Sequence, residues 1–466
     1  MTRFNTHTAP RARTGASALF FACALALTLL LSSCASSRGA SSFYADNIRD
    51  FETKTLSNGI PVIVKQNHGS KIVVFRMIFE GGSSVIDENL GGIEKLTLSL
   101  MLHGSEKFIY EDIQKREYEN SFSFTSSAGR DYSTAGFTCI QRDVDEALAI
   151  FTDGVFHPLF SETDYTQAVT EAENTIAQKA SDPSGALGTA LSKAAFSGTP
   201  YATAVSATKE TLPNITLEKI ESHHASLLNA SRIKIVIIGD FNSDLLSDFV
   251  SRLDESFGSI EAKPFALPSI PDFAPNGENV FVANAQAGDT GYITGIFPCP
   301  ERTSSEYIPF AIASMYIDDL FFSIVREKHG AVYSIGSGVV GGKKLLGAIS
   351  IYKATEKAQL KEFTYEAIDA FDEKSVADKL DQYKNKYISS IFSSSQSSSG
   401  VASSVIASLE YHGSESAYLK RAELVQKVSA KQVIAAYKKY FQPITKENAA
   451  QWIVVDGAEN LSKYDF

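Results

Sequence analysis

The sequence contains few cysteine, tryptophan and proline residues for its length. Its 466 residues include four cysteines, one tryptophan and fourteen prolines. Four cysteines are too few for a disulfide framework, and 44% hydrophobic residues with 21% charged residues exclude a disordered acidic tail. The formal net charge of −11 excludes general attraction to nucleic acid. The chain is therefore predicted to be globular and long enough for two or three domains.

The first segment has an apolar run that is too short for a membrane span. Ala18 to Leu31 comprises fourteen residues and follows a basic stretch with three arginines. This suits the core of a signal peptide, about 7 to 15 residues, better than a span of about 20. The following Leu31-Ser32-Ser33-Cys34 resembles a bacterial lipobox. We therefore predict a lipoprotein signal peptide over residues 1–33, with an ordinary signal peptide and an incidental cysteine as the alternative.

In this interpretation Cys34 carries the lipid, and residues 34–48 form a flexible tether to the first domain. The protein is then anchored in a bacterial cell envelope, facing an extracytoplasmic space. Cys139 and Cys299 remain as the possible free thiols, and the sequence does not decide whether they pair.

A cluster of prolines divides the remaining chain. Four of the fourteen lie between residues 261 and 276, a stretch that neither a helix nor a central strand would accept. We interpret residues 261–276 as a linker between a domain over 49–260 and a domain over 277–466.

The two domains repeat the same order of patterns. Residues 132–139 alternate as a strand does and precede an amphipathic segment over 143–156, and residues 345–352 likewise precede 359–371. The predicted fold is α+β, with two homologous α/β-sandwich halves, each a mainly antiparallel sheet covered by helices on one face. The serine-rich stretch 393–404 is either a flexible loop or a junction of two helices.

The order of elements in the first domain resembles a known family. A turn and strand over 55–64 is followed by a strand over 73–79, the segment 81–87, and a helical segment over 91–105. This is similar to the opening of the insulinase/pitrilysin metallopeptidases, whose processing-peptidase branch has two homologous halves in each chain. The resemblance extends over nearly all of the chain that follows the signal peptide.

Active members of that family carry an inverted zinc box, His, two residues, Glu, His, on the first helix. Alignment on Gly92 and Gly104-Ser105 places Lys95 and Ser99 at the histidine positions and Leu98 at the general base. The third ligand, a glutamate in the family, falls near Gln178. A cationic amine repels Zn²⁺ and a leucine transfers no proton, so the resemblance implies no metal in this chain.

The other histidines do not suggest a different metal site. No two of them have ligand spacing with a carboxylate between them. We predict that the adjacent His223 and His224 form a surface pair, and that His103 lies at an exposed helix end.

The second domain keeps another family element. Arg326 and Tyr333 stand seven residues apart, around Gly330. In the family an arginine and a tyrosine with this spacing bind the substrate backbone and stabilise the oxyanion of the zinc-bearing half. Considered alone, the pair favours a helix-end charge and a packing ring, but within the surrounding resemblance it favours the functional role.

Loss of the zinc box beside a retained Arg/Tyr pair suggests a noncatalytic subunit of a heteromeric peptidase. Such a subunit would bind extended peptide, offer Arg326 and Tyr333 to a homologous partner that holds zinc, and hold no cofactor itself. The predicted peptide edge lies near Phe122 to Ser126, where Phe122-Ser123 replaces the family's Asn-Ala.

Two other functions remain open at this point. One is a stand-alone peptide-binding or scaffold lipoprotein, which would bind peptide without any hydrolysis. The other is an active metallopeptidase with an unrecognised site, which must explain a leucine at the position of the base.

Overall fold

The computed structural model describes residues 48–273, 275 and 277–466. The predicted signal peptide, Cys34 and nearly all of the predicted tether lie outside the described residues. Within 261–273, no residue belongs to a helix or strand.

The first half contains six strands and seven α-helices. In chain order these are β1 (Phe51–Thr55), β2 (Pro61–Gln66), β3 (Ile72–Glu80), α1 (Ile93–Met101), α2 (Tyr110–Asn120), β4 (Ser123–Ser127), β5 (Tyr132–Ile140), α3 (Val144–Phe156), α4 (Glu162–Ser181), α5 (Pro183–Phe196), α6 (Leu217–Leu227), β6 (Ile233–Gly239) and α7 (Ser243–Phe257).

The second half contains five strands and seven α-helices. They are β7 (Val280–Ala283), β8 (Gly291–Phe297), α8 (Tyr307–Leu320), β9 (Val332–Gly341), β10 (Leu345–Ala354), α9 (Leu360–Asp369), α10 (Glu373–Ser394), α11 (Ser398–His412), α12 (Ala417–Lys427), α13 (Ala430–Ala436), α14 (Gln442–Lys446) and β11 (Gln451–Asp456). A π-helix, Phe321–Lys328, continues α8.

Apart from the additional edge strand β1, the two sheets have the same topology, which confirms the predicted duplication. The strand order is β1-β2-β6-β3-β5-β4 in the first sheet and β7-β11-β8-β10-β9 in the second. In each sheet one pair is parallel, β2 with β6 and β7 with β11, while the neighbouring pairs are antiparallel. The strands over 132–140 and 345–354 occupy equivalent places, and each is followed by a helix.

We predicted helices on one face of each sheet, but the structure has helices on both faces. One face of the first sheet packs on α3 and α7 through a phenylalanine cluster, in which the Phe75 ring lies 5.0 Å from Phe137 and 5.3 Å from Phe151. Helix α11 of the second half covers β3 and β6 from the other side. Both faces of β3 are consequently buried, and its sequence is apolar almost throughout.

The second sheet receives a helix from the first half in return. Leu187, Leu191 and alanines of α5 pack against Ile296, Leu346 and Ile453 of the second sheet. Both exchanged helices follow a capped junction: the side chain of Asp182 accepts a bond from Gly185 N, and that of Ser397 from Gly400 N. The serine-rich stretch is therefore a helix junction.

One helix in the described part of the chain is long and apolar enough to cross a membrane. It comprises Tyr307–Lys328, with a mean hydropathy of 1.6 over its most apolar window. Half of that window is buried inside the protein, and Phe310 stacks on Phe441 at 5.2 Å. These contacts are those of a core helix.

Candidate functional site

Helix α1 presents to solvent the two residues that we aligned with the family's zinc-binding histidines. Lys95 and Ser99 are four residues apart and both exposed, so they share one face of the helix. The Lys95 ammonium lies 3.2 Å from Ser206 Oγ. Leu98, at the position of the general base, is fully buried among the apolar residues between the first sheet and its helices. The residue aligned with the general base is thus part of the hydrophobic core.

Gln178 lies on α4, and its side chain is exposed. Helix α4 has no buried residue over its twenty positions. Its first half packs on α1, where Tyr165 and Ala168 contact the cluster around Ile93 and Leu100. The structure therefore brings together the two helices on which the family alignment places the zinc-site positions.

These residues do not fit a zinc ion. Zinc in proteins is bound by thiolate, imidazole or carboxylate groups, usually three or four of them. The family positions here carry an ammonium, a hydroxyl and an amide, together with a buried leucine. Within residues 48–273, 275 and 277–466, no group of three His, Cys, Asp or Glu side chains is arranged to hold a metal.

A buried ion cluster beside Lys95 was not predicted. Glu94 is 2% exposed, and its Oε2 lies 2.6 Å from Arg232 Nη2 and 3.4 Å from His223 Nε2. Burial raises the pKa of Glu94, but the combined effect of His223, Arg232 and Ser133 outweighs it, so that the pKa is lowered. The signal that could have revealed this cluster was a glutamate among the apolar residues at the start of α1.

The predicted exposure of His103, His223 and His224 was wrong. His224 is 8% exposed and its Nε2 lies 2.9 Å from Val155 O, while His223 faces Glu94, so the two do not form a surface pair. Their rings point in different directions because adjacent residues of a helix are rotated by about 100°. His103 is partly buried and stacks on Tyr110 at 3.9 Å, where we expected an exposed helix end.

Arg326 and Tyr333 lie together on the surface of the second half. The guanidinium carbon of Arg326 is 5.5 Å from the centre of the Tyr333 ring and 5.3 Å from that of Phe322. Tyr333 is 64% exposed and Phe322 50%. Tyr352 continues the row of rings, 6.2 Å from Tyr333. Sequence reasoning missed Phe322 and Tyr352, since an exposed aromatic ring has no distinctive spacing.

Arg326 is free of carboxylate partners in the described structure. Lys328 Nζ and His329 Nε2, which follow Arg326 in the chain, both pair with Glu366, at 2.5 Å and 2.8 Å. Arg326 appears in ring contacts alone, and in no ion pair or hydrogen bond between described residues. Its donors are therefore available to another molecule. No hydrogen bond or ion pair of the described residues joins Arg326 or Tyr333 to Lys95, Ser99 or Gln178.

The predicted peptide edge is an edge strand in the structure. Strand β4 ends the first sheet and pairs on one side with β5. Phe124 N donates to Glu117 Oε1 at 2.8 Å, so the backbone groups of Phe124 point away from β5. By the alternation of an antiparallel ladder, those of Ser126 also point outward. Phe122 is buried beneath this edge, 5.6 Å from the ring of Phe124.

The two cysteines of the described chain are free thiols. Cys139 is buried in the first half and Cys299 is partly buried in the second. Burial raises the pKa of each thiol to about 12, so both stay protonated near neutral pH.

A duplicated α+β chain with exchanged helices and a zinc-site helix defines the class of the protein. Two family models match it: the insulinase domain of peptidase family M16 over residues 61–209, and the M16 inactive domain over residues 214–398. The chain belongs to the insulinase family. It is a degenerate member, because the zinc box is lost.

Two curated relatives are similar over part of the chain. The non-peptidase homolog YmxG of Helicobacter pylori is 23% identical over 185 residues, 40% of this chain and 43% of that protein. Subunit alpha-1 of the mitochondrial-processing peptidase of Dictyostelium discoideum is 25% identical over 232 residues, which are 48% of this chain and 34% of that protein. The chain thus spans less than half of the length of either relative.

Solved structures share the fold. A peptidase M16 inactive domain from Pseudomonas fluorescens has a TM-score of 0.75 at 18% identity, over 88% of this chain and 98% of its own. The periplasmic protease PqqL from Escherichia coli has a TM-score of 0.71 at 13% identity, over 88% of this chain and 45% of its own. The family models and the non-peptidase relative, with the altered zinc positions, support an inactive M16-like protein.

Proposed function

We propose that this protein is the noncatalytic subunit of a heteromeric insulinase-like zinc peptidase. It binds an extended peptide and supplies Arg326 and Tyr333 to a homologous partner that holds the zinc. One observation carries the proposal: Arg326 is exposed between two rings and unneutralised, while Leu98 has joined the core. The group that binds peptide is thus retained in a chain whose own zinc site is lost.

The chemistry of the pair suits this role. The guanidinium group is a permanent donor of hydrogen bonds, and a tyrosine hydroxyl can donate to an oxygen that develops negative charge. Among the described residues Arg326 forms no ion pair, and Glu366 is already paired with Lys328 and His329. Such a pair is of use to a reaction only where another chain provides the metal and the base.

Strand β4 offers a second contact for peptide. The outward backbone groups of Ser126 can pair with an added strand. The bond from Phe124 N to Glu117 removes one donor from this edge, so the added strand would be short.

The names of the relatives agree with a supporting role. One is a subunit of a processing peptidase, and another is a homolog without peptidase activity. The location in our proposal is extracytoplasmic, with Cys34 as a lipid anchor in the bacterial envelope; PqqL, which shares the fold, is a periplasmic protein.

The test is to isolate the protein from its native membranes and to identify the bound chains by mass spectrometry. The proposal expects a near-stoichiometric chain that contains the intact zinc box, and zinc-dependent cleavage of unfolded polypeptide by the complex. Arg326→Ala should lower that cleavage at least tenfold, by analogy with the removal of an oxyanion donor, about 10²-fold to 10³-fold. Arg142→Ala, an exposed arginine paired with Asp143, is the matched control.

Absence of such a partner would contradict the heteromer. Binding of unfolded polypeptide without cleavage would then favour the stand-alone peptide-binding lipoprotein, for which the exposed edge of β4 is the supporting feature. Stoichiometric zinc in the purified chain, with cleavage that a chelator stops, would instead establish an active peptidase with another site.

A further inference from the structure

Phe322 is an apolar ring that the core does not use. It is 50% exposed, while its neighbour Phe321 and Val325 are fully buried. Phe321 and Val325 are four residues apart and anchor the segment, and Phe322 and Arg326 repeat the same spacing on the exposed side. The segment is a π-helix, a rare conformation that is often found at functional sites.

The rings are what holds the Arg326 side chain. Its guanidinium carbon lies 5.3 Å from the Phe322 ring and 5.5 Å from the Tyr333 ring, within the range of a cation–π contact. No ion pair or hydrogen bond with another described residue fixes its orientation. A long side chain without these rings would sample many rotamers.

Tyr333 is braced in turn by two further tyrosines. Tyr352 lies 6.2 Å from Tyr333, and Tyr292 lies 4.9 Å from Tyr352 with the two ring planes at 88°. Tyr292 is only 7% exposed, so the row of rings runs from the interior to Arg326. Arg326 is therefore supported by this row on one side and by Phe322 on the other.

We propose that Phe322 is a positioning residue: its ring holds the Arg326 guanidinium beside Tyr333 and so prepares the pair for peptide. This inference rests on the proposed function, in which Arg326 binds peptide. Phe322 itself does not contact the reacting atoms. Its contribution is to reduce the motion that Arg326 would lose on binding.

The first measurement follows Arg326 directly and needs no partner. Arginine labelled with ¹⁵N gives an Nε–Hε signal, assigned by its loss in Arg326→Ala, and the order parameter of that signal reports the motion of the side chain. We expect an ordered Nε in the unmodified protein, loss of order in Phe322→Leu, and retained order in Phe322→Trp, because tryptophan is the strongest cation–π partner. Phe281→Leu is the matched control, since Phe281 is 43% exposed.

The second measurement is the affinity for fluorescein-labelled casein, an unfolded polypeptide. Phe322→Leu should weaken binding about threefold, as expected for an exposed cation–π contact, and Phe322→Trp should restore it. An unchanged Nε order in Phe322→Leu overturns the inference. The inference is also overturned if Arg326→Ala weakens the binding of casein but Phe322→Leu changes the Nε order without changing the affinity. If Arg326→Ala binds casein as well as the unmodified protein does, the proposed function fails, while the Nε order still decides the role of Phe322.

Discussion

The ammonium group of Lys234 lies 2.9 Å from the carboxylate of Glu410 and joins the two halves of the protein. Lys234 belongs to β6 of the first sheet, and Glu410 to the exchanged helix α11. Glu80 approaches the same ammonium at 2.5 Å. The Glu410 side chain is 6% exposed, and burial raises its pKa. At this interface between the two halves, the Lys234 ammonium thus contacts two largely desolvated carboxylates, those of Glu80 and Glu410.

Lys234→Met should lower the free energy of unfolding by about 3 kcal/mol, because it removes the cation that contacts both carboxylates. Urea unfolding measures the change. Lys54→Met is the control, since Lys54 and its partner Glu52 are both more than 40% exposed, and it should cost less than about 1 kcal/mol. An equal loss in both variants would show that the interface does not depend on this cation.

The sequence predicts the order and type of the elements better than it predicts which helices pack on which sheet. Alternating strands and amphipathic segments recur in both halves, so the duplicated architecture followed from periodicity. The exchange of α5 and α11 could not be predicted, because an apolar stripe shows that a helix is covered but not by which sheet. Glu94 and Arg232 were missed for the same reason: their contact joins residues far apart in the chain.

The candidate site, too, could be predicted only in part from the sequence. Family resemblance pointed to Lys95, Leu98, Ser99 and Arg326 through their places in a linear motif. The burial of Leu98 and the ring contacts of Arg326 depend on tertiary packing, which no spacing in the sequence records.

Gly342 is the next point of contact between the halves, at the tip of the β9–β10 hairpin. Lys343 N donates to Asp131 Oδ2 at 2.9 Å, and a Cβ at Gly342 would lie 1.9 Å from that same oxygen. Gly342→Ala must therefore displace either the Asp131 carboxylate, which also binds Tyr201, or the hairpin itself. We expect a loss of about 2 kcal/mol in the free energy of unfolding, as for an overpacked contact.

Gly338→Ala, in the adjoining strand β9, provides the comparison, because a Cβ there meets no atom within 4 Å. It should leave stability unchanged or raise it by up to about 1 kcal/mol. If Gly342→Ala behaves like Gly338→Ala in urea unfolding, the contact at Asp131 does not hold the halves together.

Leu98→Glu tests whether the general base could be restored by a single substitution. Leu98 is fully buried in the first core, so a carboxylate there would lose its hydration without gaining a partner. The variant should lose more than about 3 kcal/mol in the free energy of unfolding, whereas Lys95→Met, at an exposed position, should change it by less than about 0.5 kcal/mol. Leu98→Met controls for shape and should cost under about 1.5 kcal/mol. A stable Leu98→Glu would show that the former active-site face still accepts a charge.

The ion cluster at Glu94 predicts how stability depends on pH. The pKa of Glu94 is lowered in the folded protein, so its contribution is present above the unfolded pKa of about 4.3 and is lost as the pH falls through the folded value. Glu94→Gln should lose about 3 kcal/mol at neutral pH, since Arg232 is left buried without its carboxylate, and its stability should fall less steeply between about pH 5 and about pH 3. Urea unfolding at a series of pH values measures both effects.

Glu119→Gln is the control, since Glu119 lies on the exposed surface of α2, 4.0 Å from Lys115. The stability of this variant should depend on pH in parallel with that of the unmodified protein. Parallel curves for Glu94→Gln as well would mean that acid destabilises the protein through other carboxylates.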